Sequence, residues 1–232
     1  LSITKEYNAG IFEKDAIKLI NQIHKKKDVI IIVGGSGLYV DAICKGFDKI
    51  PEVPHNIRSN INKLFKEKGL IWLQEKVQSV DPEFYKNCDT NNSQRLIRAL
   101  EIFKSHNKSL SSFKTESYKE RPFEIIKIGL NTNRELLYKK INTRVDNMIE
   151  KGLVDEVSSL LKYQHLNALQ TVGYKEIFAF INHETTLEEA IKNIKQNTRR
   201  FAKRQLTWFR KDVTIKWFEP HQFSEIKKII GL

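Results

Sequence analysis

The stretch Val29-Ile30-Ile31-Ile32-Val33-Gly34-Gly35-Ser36-Gly37 decides the fold class. Five consecutive β-branched residues leave no polar face, which predicts a strand covered on both sides, as in a parallel sheet. The glycine-rich run that follows ends the strand and turns the chain into a helix from about Leu38. Upstream, Ala16, Leu19, Ile20 and Ile23 recur at helical spacing between Asp15 and His24. Helix, buried strand, glycine turn and helix is the arrangement of an α/β protein.

Beyond the prolines at 51 and 54 the texture changes, and helical patterns dominate from Asn56 to about Leu110. Ile57, Ile61, Leu64 and Phe65 open this stretch, followed by Leu70 to Val77 and a long segment after Asn92. Asp81-Pro82 reads as an N-cap with proline in the first helical position. An all-α insertion between α/β parts is expected. Phe123 to Leu130 alternates around Ile126 and Ile128, predicting a strand. Helices are expected over 134–151 and 154–162, with Gly152 as a C-cap, then over 186–211, and a last strand over 213–218.

The chain has 232 residues, long enough for a sizeable core, with 40 Lys+Arg against 28 Asp+Glu and a net charge of +12. No purely apolar run exceeds five residues, the length of Val29 to Val33, which excludes a hydrophobic membrane span. Two cysteines, Cys44 and Cys88, make neither a disulfide framework nor a metal motif, and Cys44 is expected in the core. A cytoplasmic protein is the default. The positive balance favours a polyanionic partner.

That charge is concentrated. Ile191 to Lys211 holds Lys192, Lys195, Arg199, Arg200, Lys203, Arg204, Arg210 and Lys211 and no acid. Helical spacing places Arg200, Lys203, Arg204 and Thr207 on one face, with Phe201 and Trp208 expected to pack in the core. A helix with such a face suits phosphates; a solvated surface helix is the plainer alternative. In Gln94-Arg95-Leu96-Ile97-Arg98, the amide and two guanidiniums project together while Leu96 packs inward. Asn92 or Ser93 would cap that helix. Gly34 to Gly37 could admit a ligand close to the backbone, with Ser36 aimed past the sheet edge, or be simply a tight turn. It is neither GxxxxGK[ST] nor GxGxxG. Arg144 lies on a helix whose apolar side is Leu137, Ile141, Val145 and Met148.

These blocks resemble the tRNA dimethylallyltransferase (tRNA isopentenyltransferase) family. The matching stretches are Tyr7 to Phe12, Val33 to Tyr39, Gln94 to Leu100, Arg144 to Met148, Thr171 to Glu176 and Thr198 to Arg210. They fall in family order along essentially the whole chain. Ser36 stands where the family usually has Thr, and Asn8 and Ile11 replace Ser and Asp in the first block.

The resemblance implies a P-loop nucleoside triphosphate hydrolase-like parallel sheet core, with its N-terminal part missing here, and an all-α insertion domain. Residues 1–52 and 113–232 would form the core and 53–112 the insertion gripping the anticodon stem-loop. It implies transfer of a dimethylallyl group from dimethylallyl diphosphate to N6 of the adenine 3′-adjacent to the tRNA anticodon, with Mg2+ at the leaving diphosphate. Ser36 and Arg144 would be catalytic, and Arg144 and Arg199 would bind diphosphate. The tRNA would meet Arg58, Gln94 to Arg98, the run Gln170-Thr171-Val172-Gly173-Tyr174-Lys175, and Lys203-Arg204-Gln205-Leu206-Thr207-Trp208-Phe209-Arg210. Family members carry a P-loop and a DSxQ motif, bearing the presumed general base, ahead of the Tyr7 block. Only six residues precede Tyr7 here, so the chain as given is expected to be inactive by itself. A monomer is the family-like expectation. A non-catalytic RNA-binding fragment and a P-loop small-molecule kinase are the competing readings; the basic helix disfavours the kinase.

Overall fold

Asn8 accepts a hydrogen bond from the Ile11 amide and so starts α1 (Ala9–His24). A computed structural model describes residues 1–115 and 119–231. The chain forms two compact units, one from Leu1–Cys44 with Arg121–Leu232 and one from Lys45–Glu120.

In the first unit, α1 packs on α2 (Gly37–Cys44), and the Phe12 and Tyr39 rings stack at 4.3 Å. The buried Arg121 guanidinium fixes the end of α2. Its Nε donates to the Ile43 carbonyl at 2.8 Å and its Nη2 to the Ala42 carbonyl at 2.7 Å. The same Nη2 pairs with Glu13 of α1 at 3.0 Å. A cation at a helix C-terminus satisfies carbonyls that have no intrahelical partner.

The run between these helices is not the buried strand its composition suggests. Residues 29–36 carry no regular structure, and Ile31 is 70% and Val33 90% exposed. Apolar β-branched character makes a segment fit for burial but does not supply neighbours. A central strand needs hydrogen-bonded strands beside it and covering layers, and no described residue pairs with this run in a sheet.

The second unit is helical. α3 (His55–Val80) is broken at Gly69, whose φ of +77° and ψ of −170° suit glycine, so it is two helices end to end. α4 (Pro82–Asn87) is capped by Asp81, whose side chain accepts from the Phe84 amide at 3.2 Å, with proline in the first turn. Asn92 caps α5 (Ser93–His106) by accepting from the Arg95 amide. Its last turn ends at Asn107 in the left-handed region. α3 and α5 enclose Ile61, Leu73, Val77, Leu96, Ile97, Leu100 and Ile102. The unit also takes in the loop residues 45–54 ahead of α3 and the described residues beyond α5 up to 120.

Back in the first unit, β1 (Ile128–Leu130) is shorter than the sequence pattern suggests. Then come α6 (Arg134–Glu150), α7 (Leu153–Ser159), α8 (Tyr174–Ile181) and α9 (Leu187–Phe209). Gly152, at φ +91°, separates α6 from α7. β2 (Lys216–Phe218) pairs parallel with β1 in the register Ile128↔Lys216, Gly129↔Trp217 and Leu130↔Phe218. α10 (Phe223–Ile229) closes the chain. Parallel strands joined through helices make this an α/β fold, although most of the described residues are helical. The core of the helical part gathers Val145, Leu153, Val157, Ile177, Phe178, Ala190 and Ile194. Among the described residues no helix is long and apolar enough to cross a membrane. Cys44 and Cys88 are half-buried thiols outside any disulfide, so Cys44 is not the core residue expected.

Candidate functional site

The basic helix α9 docks on the glycine turn. The Gln205 amide donates to the Gly35 carbonyl at 2.6 Å, and the Trp208 indole N–H donates to Asp41 of α2 at 3.0 Å. The approach requires glycine. A Cβ on Gly37 would lie 2.5 Å from Cδ1 and Nε1 of the Trp208 ring, and one on Gly35 would run into the Gln205 amide. Ser36 is exposed at the start of α2, its carbonyl accepting from the Tyr39 and Val40 amides at 3.0 Å. Lys203, Arg204, Thr207, Trp208 and Arg210 are exposed, while Gln205, Leu206 and Phe209 are half-buried. Ser36 and the Lys203–Arg210 run, far apart in sequence, are thereby brought together.

Phe201 and Trp208 are not core residues. Phe201 is 45% and Trp208 41% exposed. The Arg204 guanidinium lies over the Phe201 ring at 5.7 Å, and Trp208 lies on the glycine turn. The buried residues of α9 are Ala190 and Ile194, in its first half, so its second half works as a surface.

α6 runs beside α9. Lys195 pairs with Asp146 at 2.5 Å, and Arg199 Nη1 donates to Asn142 Oδ1 at 2.7 Å. The Tyr138 ring has Arg199 at 5.8 Å and Arg134 at 5.2 Å. Arg199 is therefore held, half-buried, by polar and aromatic partners. Arg144 is exposed and makes no ion pair or hydrogen bond among the described residues. It lies in an open concavity of about 510 Å³ with Lys139, Lys140 and Lys151, flanked by Leu136 and Met148. Arg199 does not line that concavity, although both arginines belong to the α6–α9 pair.

The loop before α8 exposes Gln170, Thr171 and Val172 and buries Gly173, and Lys175 is exposed in the first turn of α8. Glu176 fixes its shape. One carboxylate oxygen accepts from the Gly173 amide at 2.8 Å and the other from Asn197 of α9 at 2.7 Å. The Tyr174 hydroxyl donates to Glu156, and that bond, with burial, pushes the phenol up to about 12. Tyr174 therefore stays neutral at any physiological pH and acts as a donor rather than a base.

In the helical unit Gln94 and Arg95 are exposed at the start of α5, and Arg98 is partly exposed one turn on. Leu96 and Ile97 are core residues, at 0% and 4% exposure, so their part is to seat the helix. Arg58 of α3 is exposed and comes to the same place: Arg58 and Arg98 both pair with Glu101.

A family model described as IPP transferase matches residues 1–212. The chain belongs to the IPP transferase family. It is similar to a tRNA dimethylallyltransferase of Christiangramia forsetii, 52% identical over 97% of this chain and 74% of that protein. Among solved structures it resembles a tRNA isopentenylpyrophosphate transferase from Bacillus halodurans. There the TM-score is 0.67 and the identity 34%, over 100% of this chain and 75% of the other. A eukaryotic dimethylallyltransferase acting on tRNA shares the fold at TM-score 0.76 and 22% identity, over 98% and 60% of the two chains.

Within this IPP transferase-family chain, several residues that shape the site carry no signal of their own in sequence. Asp41, Glu101, Asn142, Glu176 and Asn197 are ordinary polar residues until the fold sets them against Trp208, Arg58, Arg199, Gly173 and Glu176. A second hollow of about 400 Å³ opens at the carboxyl ends of β1 and β2, lined by Asn131, Asn133, Glu219 and Gln222 among others. That is the edge at which α/β sheets bind ligands, and sequence patterning did not single it out. Among the described residues no group of three His, Cys, Asp or Glu side chains could hold a metal ion.

Proposed function

We propose that the chain transfers a dimethylallyl group from dimethylallyl diphosphate to N6 of the adenine 3′-adjacent to the tRNA anticodon. The carrying observation is membership of the IPP transferase family, with a helix whose acid-free basic stretch from Ile191 onward docks on the glycine turn that bears Ser36. In the reaction the C–O bond to diphosphate breaks, the N6–C bond forms, diphosphate leaves as the anion and N6 gives up a proton to solvent. The chain's own residues bind and orient. The target adenine has to leave its stack to be reached, and exposed Ser36 offers a hydroxyl to place it. Arg144 and Arg199 supply cations for the negative charge that builds on the departing diphosphate. Arg199 is pre-set by Asn142 and Tyr138, so little reorganisation is needed when the ligand arrives.

The exposed residues of the Gln94–Arg98 and Gln170–Lys175 runs, Lys203, Arg204 and Arg210, and Arg58 provide cations, amides and hydroxyls for an RNA backbone. Mg2+ belongs to the proposal as a companion of the diphosphate, since that ion commonly keeps most of its shell as water and phosphate oxygens. The described residues form no cage for it. A monomer in the cytoplasm is the accompanying reading. The test is incubation of the intact protein with dimethylallyl diphosphate and an anticodon stem-loop RNA, read by nucleoside mass spectrometry. A dimethylallyl group on the one adenine is expected and would overturn the reading of this chain as inactive by itself; RNA binding with no mass gain would favour a binding role without transfer.

A further inference from the structure

Glu101 is the one glutamate in α5, and only 4% of it is exposed. A carboxylate taken out of water is costly unless it is paired and hydrogen-bonded. Its two oxygens are used separately. Oε1 accepts from Arg58 Nε at 3.2 Å, and Oε2 accepts from Arg98 Nη1 at 3.4 Å. The two guanidinium side chains stay 45% and 36% exposed. Each arginine is therefore gripped at one edge while other N–H groups of its fork remain open. Arg58 is 43 positions from Glu101 and comes from a different helix, so the carboxylate sets two cations from two elements side by side.

We propose that Glu101 is a positioning residue for RNA: it pre-sets Arg58 and Arg98 as a fixed pair of phosphate clamps. The proposal rests on the reading of those arginines as RNA contacts. A free arginine loses much side-chain freedom on gripping a phosphate, and one already held loses less. The buried carboxylate makes that payment during folding.

The proposal separates from plain electrostatics by sign. Glu101→Gln makes this basic face one unit more positive and, on charge alone, should tighten binding of a polyanion. Loss of positioning predicts weaker binding instead. The experiment measures affinity of the intact protein for an anticodon stem-loop RNA across a salt series, for wild type, E101Q, R58A/R98A and the triple variant, with Tm alongside. E101Q is expected to bind about threefold to tenfold more weakly, with KM for RNA raised and kcat at saturating RNA held. The triple variant is expected to match R58A/R98A in affinity and to exceed it in Tm, because the double variant leaves the buried Glu101 carboxylate without its cations. A purely structural role would lower Tm and kcat together and would add a further loss in the triple variant; either result overturns the proposal. Equal or tighter binding by E101Q, with R58A/R98A weakened, overturns positioning alone. Unchanged binding by R58A/R98A overturns the RNA-contact reading and positioning with it. Should E101Q fail to fold, E101D keeps the charge one methylene shorter and is read in the same way.

Discussion

Gly37 stands where the indole of Trp208 crosses the start of α2, and the contact leaves no room for a side chain. In Gly37→Ala the Cβ would displace the ring and break its bond to Asp41. Overpacking of that kind costs about 1–3 kcal/mol. Urea unfolding followed by tryptophan fluorescence is expected to show that loss, whereas Gly34→Ala, with open space around its Cβ, is expected to unfold like wild type. Asp212 offers a test by pH. The Lys127 ammonium at 2.7 Å and the Thr214 hydroxyl hold its carboxyl at about 2, below the ordinary 3.8. A carboxyl lowered by folding stabilises the native state above its unfolded value. That contribution fades as pH falls from about 4 through about 2. Asp212→Asn should remove this part of the acid sensitivity, on the order of 1–2 kcal/mol after screening, leaving a flatter urea midpoint between pH 5 and pH 2. An equally steep acid limb in the variant would show that other groups carry it.

Elements differ in how far sequence exposes them. α4 and α5 announce themselves, because Asp81-Pro82 and Asn92 are caps whose chemistry is local and whose apolar residues repeat every turn. Asp81 goes further than a cap. It is 1% exposed and also accepts from the Ser111 amide at 3.0 Å and its hydroxyl at 2.6 Å, tying together residues 30 apart. Asp81→Ala removes the cap and leaves Ser111 without its acceptor, so a loss of about 2–4 kcal/mol in the helical unit is expected in denaturant unfolding. The 29–33 run misled for the opposite reason: its composition states a capacity for burial, while pairing depends on distant chain. On α9 the basic pattern was legible, but the exposure of Phe201 and Trp208 was not, since their packing is decided by Arg204 and by the glycine turn. Lys203 and Arg204 lie on that exposed half. For K203A/R204A the slope of log affinity for stem-loop RNA against log salt is expected to fall by about 1 to 2, with a smaller loss at high salt than at low. An unchanged slope would remove these two side chains from the RNA contact.

For the whole molecule, the net charge of +12 sorts into cations with different amounts of support. Arg58, Arg98 and Arg199 are anchored by Glu101, Asn142 and Tyr138, whereas Arg144 is exposed and unpaired among the described residues. A cation already held by a protein partner loses less freedom on meeting a ligand than one that is not. Arg144 shares its concavity with Lys139, Lys140 and Lys151 and with the apolar Leu136 and Met148. Cations beside an apolar flank match a prenyl diphosphate better than they match RNA, which presents phosphates without a hydrocarbon tail. On that ground Arg144→Ala is expected to leave affinity for the stem-loop within about twofold, because one cation among many adds little to a distributed polyanion contact. The same change is expected to lower transfer at saturating RNA by about a hundredfold, the scale on which removing one group that stabilises developing charge is felt. Single-turnover assays at rising dimethylallyl diphosphate separate the two possible causes. A rate restored at high diphosphate would assign Arg144 to ground-state binding, and one that stays low would assign it to the transition state. Full transfer at ordinary concentrations would exclude Arg144 from the diphosphate site.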